Sequence, residues 1–213
     1  MFITLEGIEG SGKTTQLQKI VAFLEGRGYE CVTSREPGGT AIGAQIRAVL
    51  LNPANKEMDA GTELLLYVAD RVQHIRTFIE PHLAAGRVVL CDRFFDATLV
   101  YQGYARGLDR TLIAELHRLV CGNLKPDVTL LFDLEPRVGL SRAWQAINSG
   151  GRSRQETRFE QEKLAFHQKV RDGYLDLARL EPHRFRVIDA SGDIQEITRT
   201  VEKTLGALLP AKR

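Results

Sequence analysis

The stretch that decides the fold is Phe2-Ile3-Thr4-Leu5-Glu6-Gly7-Ile8-Glu9-Gly10-Ser11-Gly12-Lys13-Thr14-Thr15, at the start of the chain. Its first part is apolar enough for a buried strand, and Gly7, Gly12, Lys13 and Thr14 then fill the pattern G-x-x-x-x-G-K-[ST]. Apolar residues follow directly at helical spacing, namely Leu17, Ile20, Val21 and Leu24. A strand, a glycine-rich loop and a helix in this order predict a phosphate-binding loop and the binding of a nucleoside triphosphate such as ATP.

Each residue type in this loop suits one part of phosphate chemistry. The glycines permit positive φ, so that backbone N–H groups converge on an anion where the helix begins. Lys13 adds a movable positive charge for the β and γ phosphates, and the Thr14 hydroxyl is a hard oxygen suited to Mg²⁺. The alternative is a turn that binds nothing. The residues expected to hold the nucleotide are Gly7, Glu9, Gly10, Ser11, Gly12, Lys13, Thr14 and Thr15.

The overall composition gives no sign of a nucleic-acid or membrane partner. Lys plus Arg number 29 and Asp plus Glu 27, a net charge of +2, so the protein's field favours neither a nucleic acid nor a membrane. There is no run of 18 apolar residues and no signal-peptide pattern, which predicts a cytoplasmic enzyme. Cys31, Cys91 and Cys121 lie far apart without metal-ligand spacing, and we expect reduced thiols.

Apolar segments and helical patterns alternate along the rest of the chain. Strands are expected at 30–34, 88–93, 128–133 and 185–189, and long helices at 60–84, 159–180 and 194–208. Alternation of this kind predicts an α/β fold in three αβα layers, with a five-stranded parallel sheet and helices on both faces. The phosphate loop after the first strand makes the P-loop NTPase type the expected form of this fold. No second domain boundary is visible, so one domain is expected over residues 1–213.

Charged residues end two of these strands. In an open parallel sheet the carboxyl ends of the strands line the ligand crevice. The turn Arg35-Glu36-Pro37-Gly38-Gly39-Thr40 is therefore expected to contact substrate. The alternative for this segment is a surface turn that only reverses the chain. Asp92 is expected to hold hydrated Mg²⁺ and Arg93 a second phosphate, and the alternative for these two residues is a plain salt bridge. Asp133 and Glu36 compete with Asp92 for the metal.

Two further features suggest substrate contact. Tyr67 and Arg71 lie four residues apart on one helical face, where an aromatic ring and a guanidinium can stack on and hydrogen-bond a flat base. The alternative is ordinary surface packing, which is the more frequent reason for such a pair. Residues 148–158 are polar, glycine-hinged and rich in arginine, which predicts either a solvated loop or a mobile lid. A closing lid would bring Arg152, Arg154 or Arg158 onto a transferring phosphoryl group. His74 and His167 lack ligand spacing and are expected to be structural.

Four motifs occur in a fixed order: the loop that contains Glu9, then Arg35-Glu36-Pro37-Gly38-Gly39, then Asp92-Arg93-Phe94, then Tyr101-Gln102-Gly103. Together they resemble the thymidylate kinases of the bacterial type, over residues 1 to about 208. The resemblance implies phosphoryl transfer from ATP to dTMP, giving ADP and dTDP, in a homodimer that uses Mg²⁺.

The resemblance also implies a role for individual residues on the acceptor side. Arg93 is similar to the residue that grips the dTMP phosphate, and Arg35 to its helper beside Glu36 and Pro37. Tyr101 resembles the residue under the sugar, where a ribose 2′-hydroxyl would clash, and Glu9 the acid near the 3′-hydroxyl.

The same resemblance assigns the two bases. Tyr67 matches the aromatic that stacks on thymine, Arg71 and Gln102 match the residues that hydrogen-bond its edge, and Thr98 matches their small neighbour. Arg142 resembles the arginine beside the adenine of ATP.

Several positions depart from the family pattern: Phe94 for tyrosine or histidine, Tyr67 for phenylalanine, Thr98 for serine, and Thr157 for the aspartate that often precedes the arginine matched by Arg158. Since the phosphate loop carries Glu9 in place of an arginine, the lid is the expected source of catalytic charge, and which lid arginine supplies it stays open. Alternative functions are a P-loop kinase for another nucleotide or deoxynucleoside, a DNA- or RNA-binding ATPase that uses the lid arginines, and a switch GTPase, whose N-K-x-D motif this chain lacks.

Overall fold

The computed structural model describes residues 1–122, 124–209 and 211, so residues 123, 210, 212 and 213 of the expected domain lie outside the described part. The predicted strands form one parallel sheet in the order β2-β3-β1-β4-β5. The strands are β1 (Phe2–Glu6), β2 (Cys31–Arg35), β3 (Val88–Asp92), β4 (Val128–Asp133) and β5 (Phe185–Asp189).

Helices connect all of these strands, which confirms the predicted α/β class. The α-helices are α1 (Lys13–Glu25), α2 (Ala41–Leu51), α3 (Ala60–His74), α4 (Glu80–Ala84), α5 (Phe95–Thr98), α6 (Arg110–Cys121), α7 (Pro136–Asn148), α8 (Leu164–Leu180) and α9 (Ile194–Leu208). Two π-helical segments, Ile75–Ile79 and Leu99–Ala105, continue α3 and α5, and short 3-10 turns cover Pro53–Asn55 and Arg154–Glu156. None of the described helices has the length and apolar character needed to cross a membrane.

The sheet buries both of its faces because side chains alternate along each strand. Phe2 and Val89 pack with Ile79 in one apolar cluster, and Ile3 and Leu90 belong to a second cluster with helices α1, α8 and α9. Strands buried in this way read as continuous apolar runs, which is why β1, β3 and β4 were predictable.

Strand order places the ligand crevice. β1 has β3 on one side and β4 on the other, so chain connections leave it in both directions. A crevice opens at the carboxyl ends of the strands where such a reversal occurs. The register sets Asp92 opposite both Leu5 and Arg35, so the phosphate loop, the Pro-Gly-Gly turn and the end of β3 meet at one edge.

The predicted start of the long helix at Phe159 is wrong, since α8 begins at Leu164. Residues 159–163 form a separate turn, in which Glu162 N–H donates to the Phe159 carbonyl at 3.0 Å. Phe159 and Glu160 are buried there and line the cleft. Apolar spacing alone did not distinguish this turn from a first helical turn.

Candidate active site

Backbone geometry shapes the phosphate loop between β1 and α1. Gly10 and Gly12 have φ of 72° and 89°. A Cβ on Gly10 would lie 2.0 Å from the Gly139 carbonyl oxygen, so only glycine fits there. The Lys13 ammonium donates to the Gly7 and Ile8 carbonyls, at 2.9 Å each, and thus bends back across the loop. Burial lowers the pKa of Lys13 to about 8, and the nearby Arg93 guanidinium acts in the same direction.

Thr14 and Asp92 form a pair of hard oxygen donors beside the loop. The Thr14 hydroxyl donates to Asp92 Oδ2 at 3.3 Å, and Asp92 Oδ1 is buried without a hydrogen-bond partner. Both oxygens of Asp133, the first alternative metal ligand, accept from the Arg171 guanidinium at 2.7 and 2.9 Å. Both oxygens of Glu36, the second alternative, are paired with Arg71 and His74. Of the three acids, Asp92 alone keeps an oxygen without a partner.

This pair fits Mg²⁺ as a nucleotide-bound ion. The described residues contain no group of three or more His, Cys, Asp or Glu able to hold a metal. Mg²⁺ commonly takes only one or two protein oxygens and fills its shell with water and phosphate oxygens. Thr14 and Asp92 supply that number.

Arg93 follows β3 directly and is tied to the phosphate loop. Its φ of 70° is unusual for a residue other than glycine, and such strain concentrates at functional sites. Its guanidinium donates to Glu9 Oε1 at 3.0 Å and to the Tyr174 hydroxyl at 3.2 Å. The Tyr101 hydroxyl also donates to Glu9 Oε1, at 2.6 Å. Arg93 therefore faces the same cleft as Lys13.

Glu9 is held as a carboxylate at the centre of this arrangement. Burial alone would raise its pKa, but the Arg93 guanidinium and the His167 ring outweigh burial and hold the pKa well below its ordinary value. His167 Nδ1 lies 3.3 Å from Glu9 Oε2. The histidine expected to be structural thus contributes to the site's electrostatics.

The far end of the cleft is built on one face of α3. The Arg71 guanidinium is fully buried and donates to Glu36 Oε2 at 2.8 Å, to Thr98 Oγ1 at 2.9 Å and to the Phe94 carbonyl at 3.2 Å. Its remaining nitrogen, Nη1, has no partner. Tyr67 lies one turn earlier on the same face, and Gln102 lines the same wall. The predicted base-binding residues are therefore neighbours.

One cleft of about 1330 Å³ brings together most of the predicted site. Its lining includes Glu9, Gly10, Ser11, Gly12, Lys13, Thr14, Thr15, Arg35, Glu36, Pro37, Tyr67, Arg71, Asp92, Arg93, Thr98, Tyr101, Gln102, Arg142 and Arg152. Gly7 is not part of this lining, and a Cβ on it would meet the Phe132 carbonyl oxygen at 2.5 Å. Arg142 donates to the Ala190 carbonyl at 3.0 Å, which fixes the loop before α9 as one wall.

The lid arginines differ in their surroundings. Arg152 lines the cleft and its Nη2 lies 2.6 Å from Glu160 Oε1. Arg154 is exposed outside the cleft lining, and Arg158 is buried with its Nη2 2.6 Å from Glu63 Oε2. Of the three arginines only Arg152 lines the cleft in this conformation, and the catalytic roles of Arg152, Arg154 and Arg158 all stay predictions.

Several residues at the site were not predicted: Arg47, Glu63, Glu160, His167 and Tyr174. Sequence spacing gave a usable signal for Glu63, because it precedes Tyr67 by four residues and shares the helical face of Tyr67 and Arg71. No comparable signal exists for the Arg47–Glu156 pair, since its members are 109 residues apart.

Comparisons with known proteins agree with this geometry. The family model described as thymidylate kinase matches residues 5–201. The thymidylate kinase of Desulfosudis oleivorans is 61% identical over 197 residues, which cover 92% of each chain. That of Geobacter sulfurreducens is 51% identical over 211 residues, 99% of each chain.

A solved structure gives the same result. The crystal structure of thymidylate kinase from Ehrlichia chaffeensis superposes with a TM-score of 0.76 at 36% identity, over 96% of this chain and 97% of that one. The chain belongs to the thymidylate kinase family.

Proposed function

We propose that this protein transfers the γ-phosphoryl group of ATP to dTMP, giving ADP and dTDP. One observation supports this most directly: Lys13 and Arg93 line the same cleft, and Glu9 joins the phosphate loop to Arg93 at 3.0 Å. Two cationic groups that face one space are what a kinase needs to bring a donor and an acceptor phosphate together.

The donor nucleotide would lie on the phosphate loop. The N–H groups around Gly10 and Gly12 would surround the β phosphate, and Lys13 would leave its contacts with the Gly7 and Ile8 carbonyls to meet the β and γ phosphates. Thr14 and Asp92 would hold Mg²⁺, which neutralises charge on those phosphates when bound. The adenine would lie beside Arg142, against the loop before α9.

The acceptor would occupy the opposite half of the cleft. Arg93 and Arg35 would hold its phosphate, Tyr101 and Glu9 would contact the sugar, and the base would lie between Tyr67 and the wall made by Arg71, Thr98 and Gln102. A nucleotide phosphate is already an anion, so positioning and charge neutralisation can supply catalysis without a strong general base. Closure of the lid, which carries Arg152, would exclude water from the cleft.

A coupled assay of ADP release with dTMP, dUMP, UMP and dCMP tests this function. We expect dTMP to give the highest kcat/KM, with UMP rejected because of its 2′-hydroxyl. Strong preference for any other acceptor would replace dTMP by that compound and retain only the P-loop kinase class.

We also propose a cytoplasmic homodimer that binds neither nucleic acid nor membrane. Leu65 on α3 and Leu112 and Leu119 on α6 are 60 to 68% exposed, and these two helices are neighbours. Exposed apolar side chains on adjacent helices favour a self-associating surface. The near balance of acidic and basic residues argues against binding to DNA or RNA.

A further inference from the structure

Glu63 is a buried acid whose contacts join the base-binding wall to the lid. It lies on α3 with its side chain 1% exposed. Gln102 Nε2 donates to Glu63 Oε1 at 2.7 Å, and Arg106 donates to both carboxylate oxygens at 3.3 Å. Arg158 of the lid lies with Nη2 2.6 Å from Glu63 Oε2. Glu63 thus forms ion pairs with two arginines and a hydrogen bond with one amide.

These contacts determine which end of the Gln102 amide faces the cleft. A carboxylate between two guanidinium groups can only accept hydrogen bonds, so the amide end next to Glu63 must be the NH₂ group. The carbonyl oxygen, Gln102 Oε1, is then directed the other way. Gln102 lines the cleft, and the described residues provide no hydrogen-bond donor to that oxygen. The cleft wall therefore presents an acceptor at this position.

Arg71 presents a donor on the same wall. Glu36, Thr98 and the Phe94 carbonyl engage its Nε and Nη2 atoms, and Nη1 is buried without a partner. A donor beside an acceptor matches a base that carries a carbonyl oxygen next to an N–H, as thymine and uracil do at O4 and N3. Cytosine carries an amino group next to an unprotonated nitrogen and so presents the opposite pattern.

We propose that Glu63 is a specificity-determining positioning residue, which fixes the Gln102 amide so that its carbonyl oxygen selects thymine over cytosine. This inference rests on the proposed function, because it takes a nucleoside monophosphate as the acceptor. Arg106 and Arg158 hold the carboxylate in place, and Glu63 itself does not line the cleft.

The test compares kcat/KM for dTMP and for dCMP in Glu63→Gln. The new amide can offer its own NH₂ to Gln102 Oε1, which lets the Gln102 amide turn over and present NH₂ to the base. We expect the dTMP-to-dCMP ratio to fall on the order of tenfold to hundredfold, because one hydrogen bond is lost with thymine and one is gained with cytosine.

A second variant covers the case in which Glu63→Gln does not fold. Glu63→Asp keeps a negative charge beside both arginines, but its side chain is one methylene shorter and no longer reaches Gln102. The dTMP-to-dCMP ratio of kcat/KM should therefore fall again. An unchanged ratio in Glu63→Asp overturns the inference even without a folded Glu63→Gln protein.

A double substitution separates positioning from a general loss of structure. Once Gln102→Leu has removed the amide, adding Glu63→Asp should not change the ratio further, and a further drop of similar size would contradict action through Gln102. Asp96→Asn is the matched control, because Asp96 is a buried acid paired with Arg184 at 2.7 Å and lies outside the cleft lining. It should lower stability and leave the ratio unchanged.

Different results would contradict the proposed function and the proposed role of Glu63. If the wild-type enzyme does not use dTMP, the proposed function fails and this inference with it. If the wild-type enzyme prefers dTMP and the Glu63 variants keep its ratio, only the inference fails.

Discussion

The Arg93 guanidinium lies 3.0 Å from Glu9 Oε1, so the arginine after β3 is attached to the phosphate loop. Arg93 is 18% exposed at its side chain and Glu9 only 9%, which leaves part of the guanidinium accessible in the cleft. An acceptor phosphate bound there, as we propose, would meet a cation whose position is set by the phosphate loop. This arrangement favours a fixed distance between the two nucleotides.

Replacement of Arg93 by alanine should mainly harm use of the acceptor. A hydrogen bond to a charged group contributes about 1.5–3 kcal/mol, so kcat/KM for dTMP should fall at least on the order of tenfold to hundredfold. The KM for ATP should change far less. Steady-state kinetics with each substrate varied in turn measures both effects, with Arg179→Ala, on the exposed side of α8, as the control. Wild-type efficiency with dTMP would show that Arg93 does not hold the acceptor phosphate.

ATP binding should take up a proton near pH 8. Burial and the Arg93 charge lower the pKa of Lys13 to about 8 in the free protein, and phosphate oxygens favour its protonated form. At pH 6.5 Lys13 already carries its proton, so uptake through it should be near zero. At pH 8 half of the free molecules carry this proton, so uptake should be about half a proton per site, and it should approach one only about a pH unit higher.

Titration calorimetry in two buffers of different ionisation enthalpy measures this uptake. A heat that does not depend on the buffer at pH 8 would contradict the assignment. Lys19→Met, on the same helix but away from the cleft lining, should bind ATP with the wild-type proton uptake.

Stability should fall as the pH rises between about 4.5 and about 8, partly because of Glu6. Burial raises its pKa from 4.5 to about 8, and Asp96 adds to the effect. Below pH 4.5 the carboxyl is neutral in both states; between the two values the unfolded chain ionises while the folded protein keeps the proton. Its contribution to stability is therefore present at low pH and lost as the pH passes 8.

Glu6→Gln removes this titration. Urea unfolding at pH 5 and pH 8 should show a smaller loss of stability over that interval in the variant than in the wild type. Equal losses would mean that Glu6 titrates at its ordinary value. The Phe94 N–H, which donates to Glu6 Oε1 at 2.7 Å, keeps an acceptor in the variant.

Local patterns were enough to predict the sheet, the phosphate loop and most of the cleft. The predicted ends of β2 and β3, at residues 34 and 93, each differ by one residue from the observed ends at Arg35 and Asp92. Their place at the ligand-facing edge was predictable because the carboxyl ends of parallel strands share that edge. Contacts between distant segments were not predictable. Glu63 and Arg158, and likewise Arg47 and Glu156, are too far apart in sequence to form a local pattern. The helix start at Phe159 was wrong for a related reason: burial in the cleft wall outweighed helical spacing.

The lid should loosen when Glu156 is replaced by glutamine. Arg47 on α2 forms a two-pronged ion pair with Glu156, at 3.0 and 2.8 Å, and also donates to the Pro37 carbonyl at 3.0 Å. Partly exposed pairs contribute up to about 1 kcal/mol, so amide exchange over residues 148–158 should become roughly two- to fivefold faster. Hydrogen-exchange mass spectrometry measures this directly. Glu115→Gln is the control: it breaks an exposed ion pair on α6 and should leave amide exchange in the lid unchanged. Unchanged exchange in Glu156→Gln would show that Arg47 does not restrain the lid.

Self-association should depend on the apolar surface of α3 and α6. Leu119→Lys would place a charge among side chains that a dimer buries, and an unpaired charge at the centre of an interface is strongly unfavourable. We expect a dimer for the wild type and a monomer for this variant by sedimentation at micromolar concentration. Leu180→Lys is the matched control, because Leu180 on α8 is 66% exposed and Leu119 68%. A monomeric wild type would rule out the homodimer, and a dimeric Leu119→Lys would move the interface elsewhere.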